Sequence, residues 1–427
     1  MKNKVFYYII IYICKLYNSK RGERFLKILV INAGSSSLKY QLIDMDDEHV
    51  IAKGICERIG TEKSIICAKT GDGRRIDKEV LMDNHTQAFN EVKAALTCGA
   101  CKVIDDLKEI DAVGHRVVQG GSLYKESVII DDKVIQGIAD LSDLAPLHNP
   151  AHIQGIKACR EVLGDSVPMV AVFDNAFHST MPPKAYMYAI PYEYYQKYGI
   201  RRYGFHGTSH KYISRRCAEV MGRSIKELKL VTCHLGNGSS ITAVEYGKVI
   251  DTSMGMTPLD GFMMGTRSGT LDPSVVTFIG NKEQLTPAQV DALLNKKSGV
   301  FGISGTSSDD RDICRAEDEG NERAILAHEM QAYQIIKYIG SYVAAMNGVD
   351  AIVFTGGIGE NGIRLRKNII SSLGYLGVSI NKCENKRCIG GTEGMISTPE
   401  SKVKVYVLAT NEELEIAEET KELIESK

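Results

Sequence analysis

The chain has 427 residues, 44% hydrophobic and 25% charged, a balance that suits a globular protein with more than one core. Lys and Arg number 52 against 53 Asp and Glu, and a net charge of -1 excludes the broad electropositive surface that nucleic acid requires. The 11 cysteines, odd in number and without framework spacing, point to a reducing compartment and buried thiols.

Near the N-terminus, Val5 to Cys14 is an apolar run flanked by Lys2, Lys4 and Lys15. It is shorter than the about 20 residues a membrane span needs, and no small-residue cleavage site follows it. Residues 1–25 therefore read as an extension from an upstream start; a membrane-surface anchor is the alternative. Arg21-Gly22-Glu23 can be encoded by a purine run resembling a ribosome-binding site, and Leu26 by an alternative start codon.

From Ile28 the chain reads strand, small polar turn, strand: ILVIN, then Ala33 to Ser37, then the alternating LKYQLID. A charged helix is expected over Thr86 to Leu107. Cys98 and Cys101 have C-x-x-C spacing, but no second pair accompanies them for zinc. Arg116 lies in the apolar run of VGHRVVQGG, where a charge needs either an ion-pair partner or an anionic ligand. A proline-bounded loop, LAPLHNP, precedes a helix at His152 to Leu163. Val167 to Phe173 is a buried strand with Asp174 at its C-terminal end, where polar residues line the crevices of α/β folds.

In YGFHGTSH, His206 and His210 stand four apart, but the Glu of a zinc helix is missing. A helix capped by Thr208 or Ser209, with His206 projecting before it, is expected. Leu230 to Ser274 then carries two glycine-rich turns. Gly236 to Ser240 reads as a hairpin loop whose backbone N–H groups suit an anion, and the second turn holds Arg267 and Asp272. The hairpins NAGSSSLKYQLI and LGNGSSITAVEY repeat one device, which implies a duplicated domain.

Gly302 to Arg311 forms another Gly/Ser loop, followed by a helix from His328 to Met346. Gly356 to Gly362 matches G-x-G-x-x-G, yet too little chain remains for a full dinucleotide-binding fold, and no P-loop occurs anywhere. After the strand Val403 to Ala409, Thr410 to Glu413 reads as a capping box. That makes Glu412, which the capping box does not use, a candidate to reach a metal.

The motifs VINAGSSSLKYQLID, GHRVVQGG, LAPLHNP, FDNAFH, YGFHGTSH, HLGNGSS, MGTRSGTLDP, SSDDRD, FTGGIGENG and TNEE occur in this order. With them the chain resembles the acetate kinase family from about Leu26 to the C-terminus. The resemblance implies an α/β fold of two duplicated ribonuclease-H-like domains, of the actin and Hsp70 type, with a central ATP cleft. It places one domain over 26–173, completed by a C-terminal helix at 410–427, and the other over 174–409. The implied reaction is reversible, Mg²⁺-dependent transfer of the ATP γ-phosphoryl to acetate, giving acetyl phosphate and ADP, with Mn²⁺ able to substitute. A cytoplasmic homodimer, without nucleic-acid or membrane partners, is implied as well.

Carried over residue by residue, the resemblance makes Asp174, His206 and Arg267 catalytic. Arg116 binds the substrate, and Val118, Leu147, Phe205 and Pro258 form a pocket for its methyl group. Asn32 and Glu412 help hold the metal, and Lys39 approaches the nucleotide phosphates. His234, Leu235, Gly236, Asn237 and Gly238 make the second phosphate loop. Asp309, Asp310, Arg311, Gly357, Ile358, Gly359, Glu360 and Asn361 frame adenosine. His148 and His210 are expected to support rather than react, and Gln119 and Ser122 vary the usual wording around Arg116.

The chemistry agrees with these assignments. Acetate is already ionised, so it needs no strong base; it needs charge neutralisation to approach a polyanion. Asp174 is accordingly read as orienting a neighbouring cation. A propionate or butyrate kinase is the nearest alternative, because one methylene shifts discrimination by only about 1–3 kcal/mol. A nucleotide-driven binding module and a pyrophosphate-linked variant are more distant ones.

Overall fold

The computed structural model describes residues 26–426, so the apolar run Val5 to Cys14 and the rest of the 1–25 extension lie outside the described residues. None of the described helices is long and apolar enough to cross a membrane.

The fold is mixed α/β with two sheets. The strands of the first are β1 (Lys27–Ala33), β2 (Ser37–Asp44), β3 (His49–Glu57), β4 (Ile65–Thr70), β5 (Arg75–Glu79), β6 (Ala112–Val117), β7 (Val128–Ile129) and β8 (Met169–Phe173). They lie in the order β5-β4-β3-β2-β1-β6-β8-β7. The second sheet is built from β9 (Lys229–Leu235), β10 (Ser239–Glu245), β11 (Lys248–Thr252), β12 (Ala351–Thr355), β13 (Gly394–Met395) and β14 (Lys404–Val407), in the order β11-β10-β9-β12-β14-β13.

The duplication is visible in the pairing. In each sheet a three-stranded antiparallel meander, β1-β2-β3 or β9-β10-β11, is joined through its first strand to a parallel strand, β6 or β12. Such parallel strands require long crossovers and are covered on both faces, which explains why β9 and β12 are buried nearly throughout.

The chain separates into two compact units. One takes in the chain up to His115 together with Gln154–Val170 and the stretch from Ala417; the other comprises Arg116–Ile153 and Ala171–Ile416. The second has two apolar clusters. One centres on Ile335, Ile339, Ile352 and Phe354, and the other on Ile213, Leu230, Val249 and Val353.

Several elements differ from expectation. The helix expected from Thr86 ends early, at His85–Thr97, because Cys98 turns into an extended conformation and short 3-10 turns follow. The helix expected from His328 runs over Glu322–Ala345, its start set by the Asn321 side chain accepting from the N–H groups of Arg323 and Ala324. Gly356–Asn361 is itself helical rather than a turn. The C-terminal helix begins at Glu412, and its cap is Asn411, whose Oδ1 accepts the Leu414 N–H at 3.1 Å; Thr410 instead bonds Ser209. Finally, Gly236 to Gly238 alone form the hairpin turn, since Ser239 and Ser240 already pair in β10.

Candidate active site in the second unit

Asp174 follows β8 and is the anchor of the site. Its carboxylate is almost fully buried and accepts from the Arg116 guanidinium at 2.8 Å. It also accepts from the His206 N–H at 3.3 Å and from the Thr208 hydroxyl at 3.4 Å. The Asp174 main-chain carbonyl takes the Gly207 N–H at 2.8 Å. A Cβ on Gly207 would lie 2.2 Å from that carbonyl oxygen, so only glycine fits beside the aspartate. His206 occupies the N-cap position of the helix Gly207–Met221 in the left-handed region, with φ of 58°. A non-glycine residue held there is strained, and such strain clusters at functional sites. Neither Thr208 nor Ser209 caps this helix, because both side chains are used elsewhere.

A chain of hydroxyls and imidazoles sets the His206 ring. Thr232 donates to the Thr242 carbonyl at 3.4 Å and so accepts from His210 Nδ1 at 2.7 Å. His210 Nε2 then accepts from the Ser240 hydroxyl at 2.7 Å, and Ser240 accepts from His206 Nδ1 at 2.9 Å. This bookkeeping gives His206 the Nδ1–H tautomer and leaves Nε2 as its second nitrogen. The His206 ring stacks on His234 at 4.3 Å, and His234 Nδ1 bonds Ser209 at 2.8 Å.

Burial first, then the neighbouring His234, His210, Arg116 and Arg267, holds His206 well below the usual imidazole range. Burial likewise pushes His178 and His234 down to about 4. The site therefore holds neutral imidazoles among guanidinium groups.

Arg267 is half-buried and, among the described residues, reaches only neutral partners, the Pro258 carbonyl at 3.2 Å and the Met264 sulfur at 3.8 Å. Desolvation lowers its pKa. A Cβ on Gly238 would stand 3.3 Å from its guanidinium and 3.7 Å from His206 Nε2, so the hairpin turn, Arg267 and His206 converge. Arg116 acts electrostatically on His206, and both arginines act on His148, whose pKa is lowered by partial desolvation first and then by them. Beside these cations Val118, Phe205, Met254 and Met264 form a small buried apolar cluster. Of the four residues expected in an apolar pocket, Val118 and Phe205 belong to it; Pro258 contributes its carbonyl to Arg267, and Leu147 is 75% exposed. The two methionines escaped sequence reading because an isolated Met reads as core.

Gly356, at φ of 76°, sits against the Leu235 backbone, which brings the helix Gly356–Asn361 up to the β9 hairpin. Within it Glu360 Oε1 accepts from the N–H groups of Gly356 at 3.0 Å and Thr410 at 3.3 Å. Asn361 bonds the Gly357 carbonyl and the Gly390 N–H, while Gly357 is exposed and Ile358 and Gly359 pack inward. Asp309 caps the helix Asp310–Asp318 and pairs with Arg311 at 2.6 Å. Glu412 stands in the first turn of the C-terminal helix and, after Asp174, is the next charge to favour ionised Arg116.

In the first unit, Asn32 and Lys39 face each other across the β1–β2 register, flanking the turn Gly34 to Ser36. The equivalent flank in the second unit is His234 opposite Ser240. The first hairpin thus presents an amide and an ammonium where the second presents an imidazole and a hydroxyl.

The family model described as "Acetokinase family" matches residues 27–418. The chain belongs to the acetokinase family. It is 56% identical over 401 residues to an acetate kinase of Thermotoga maritima, an alignment spanning 94% of this chain and 99% of that one. Among solved structures it is similar to the acetate kinase of Porphyromonas gingivalis, at 45% identity and a TM-score of 0.90, covering 93% of this chain and all of that one. It is also similar to a propionate kinase of Francisella tularensis, at 42% identity and a TM-score of 0.86, covering 93% and 99%. Acetokinase membership agrees with the repeated meander-plus-parallel-strand design of the two sheets.

Proposed function

We propose that this chain is an acetate kinase, which moves the γ-phosphoryl group of ATP to acetate and, in reverse, makes ATP from acetyl phosphate. The observation that carries this reading is Arg267: a half-buried guanidinium with only neutral partners among the described residues, next to the hairpin turn and a buried apolar cluster. A largely desolvated cation without such a counter-ion calls for an anionic ligand.

In this reading Arg116, held by Asp174, takes the acetate carboxylate, and Val118, Phe205, Met254 and Met264 surround its methyl group. Leu147 and Pro258 stand at the outer side of that pocket. Arg267 and His206 meet the charge that spreads over the equatorial oxygens during in-line transfer. Neutral His206 carries its proton on Nδ1. Burial, the two neighbouring histidines and the two arginines all depress its pKa; an arriving polyanion would favour the protonated form, which donates from Nε2 to the transferring group. Asp174 cannot usefully deprotonate an already ionised acid; it fixes Arg116 and the His206 backbone.

In this reading the nucleotide phosphates lie over His234 to Gly238, and Asp309 to Arg311 and Gly357 to Asn361 frame the adenosine. A Glu412 carboxylate is a hard oxygen donor, the type that suits Mg²⁺, also through bound water. The metal would neutralise phosphate charge. The same reading carries a cytoplasmic homodimer, with the nucleotide-binding domain at 174–409 and the other at 26–173 completed by the C-terminal helix.

The test is acetate-dependent release of ADP with the product trapped as acetyl hydroxamate. Trapped product scaling with both substrates is expected. ADP release that ignores acetate would contradict the proposal and favour a nucleotide-driven binding module.

A further inference from the structure

A second constellation, outside the residues that meet the transferring phosphoryl, lies where the helices Asp310–Asp318 and Glu322–Ala345 pack through Ile313, Ala324 and Ala327. Asp310 and Cys314 are one helical turn apart and share a face. His328 comes from the other helix and is buried. One ligand atom from each of the three lies within 4.8 Å of the others. His328 Nε2 is 3.2 Å from Asp310 Oδ1, and Cys314 Sγ is 3.9 Å from Asp310 Oδ2.

The far side of the imidazole is held too. His328 Nδ1 lies 2.9 Å from Glu317 Oε1, and Glu317 is pinned by Arg364 at 2.6 Å. Arg364 also holds Asp318 at 2.6 Å.

We propose that Asp310, Cys314 and His328 form a binding site for a thiophilic divalent cation of the zinc type, with Glu317 orienting the histidine from behind. The donor set is one thiolate, one imidazole and one carboxylate, which matches the mixed sulfur, nitrogen and oxygen coordination that zinc accepts. In a tetrahedral site with metal–ligand bonds of about 2.0–2.3 Å, donor atoms stand roughly 3.5 Å apart. The existing spacing, 4.8 Å or less, is within about 1.3 Å of that value. A carboxylate on the outer nitrogen of a liganding histidine is the recurrent support of zinc sites, because it fixes which nitrogen faces the metal.

Three protein donors leave the fourth position to water or an incoming ligand. Binding takes the place of the proton now shared between His328 and Asp310 and releases the proton of the Cys314 thiol. The simpler account of these residues is a protonated His328 bridging Asp310 and Glu317. That account gives Cys314 no role and predicts no metal dependence.

The experiment is titration of the nucleotide-free, full-length protein with Zn²⁺ by calorimetry, and with Co²⁺ by absorption spectroscopy. One high-affinity equivalent and a thiolate-to-cobalt charge-transfer band are expected. Cys314→Ser, close in size to the native residue, should remove both while leaving the urea midpoint of the metal-free protein unchanged. His328→Gln should also remove both, and Glu317→Gln should weaken binding about 10–100-fold. Binding that persists unchanged in Cys314→Ser would assign the metal to another thiol, such as the exposed Cys98 or Cys383, and would overturn the proposal. Absence of a high-affinity equivalent in the wild type would overturn it as well.

Discussion

Replacing Asp174 by Asn keeps shape and removes charge, which isolates what the carboxylate contributes. The side chain is almost fully buried and receives the Arg116 guanidinium at 2.8 Å, while its bonds to the His206 N–H and the Thr208 hydroxyl are longer, at 3.3 and 3.4 Å. Breaking a fully buried pair costs about 3–5 kcal/mol, chiefly because one charge remains uncompensated. Arg116 is 19% exposed, and Glu412 and Glu413 also favour its charged form, so the cost falls below that of a fully buried pair. A stability loss of about 2–3 kcal/mol is expected.

The kinetic effect should be larger. Without the carboxylate the guanidinium is no longer fixed, and misplacing a reacting partner by about 1 Å costs roughly 10²-fold in rate. Hydroxamate assays should show kcat lowered about 10²–10³-fold, a raised KM for acetate and a nearly unchanged KM for ATP. Urea unfolding followed by circular dichroism gives the stability arm. If Asp174→Asn kept kcat within a factor of two of the wild type and lost less than about 0.5 kcal/mol of urea stability, the anchoring role would be refuted.

Three further outcomes are expected. Ser240→Ala removes the hydroxyl shared by His206 Nδ1 and His210 Nε2; leaving such groups unpaired costs about 1–3 kcal/mol, so kcat should fall about tenfold or more, and an unchanged pH–rate profile would count against the tautomer chain. Gly207→Ala puts a methyl 2.2 Å from the Asp174 carbonyl oxygen and should destabilise the protein by about 1–3 kcal/mol in urea while lowering activity, whereas a neutral result would mean that the turn can relax. Stability should fall as pH drops from about 6.5 to about 4, because the unfolded chain protonates His178 and His234 while the native state, with both near 4, does not. At pH 5 this amounts to about 2 kcal/mol per site, read as the difference in urea stability between wild type and His178→Gln at pH 5 and 7.5.

Much of this architecture was legible because its local signals are strong. Alternating strands around small polar turns gave both hairpins, and their likeness gave the duplication seen in the two sheets. Element ends were less legible. The helix Glu322–Ala345 starts six residues before His328 because Asn321 caps it, a signal obscured by the polar run around it. Gly356–Asn361 looked like a turn since glycine disfavours helices, yet packing against Leu235 and the Glu360 carboxylate hold it helical.

Within the site, sequence could single out Arg116 and Asp174 but not their pairing, because 58 residues separate them. Met254 and Met264 carry no chemical signature, and their place beside Val118 and Phe205 appears only in three dimensions. The cluster Asp310, Cys314 and His328 was invisible for the same reason: its histidine arrives from a second helix.

The most direct measurement is single-turnover phosphoryl transfer by Arg267→Ala, with the enzyme–ATP complex mixed rapidly with acetate and quenched. Loss of a guanidinium that meets the transferring group should slow the step by about 10³–10⁵-fold while the ATP dissociation constant stays within about threefold. Transfer at the wild-type rate, or loss of ATP binding in its place, would contradict the assignment of Arg267 to the transferred phosphoryl group.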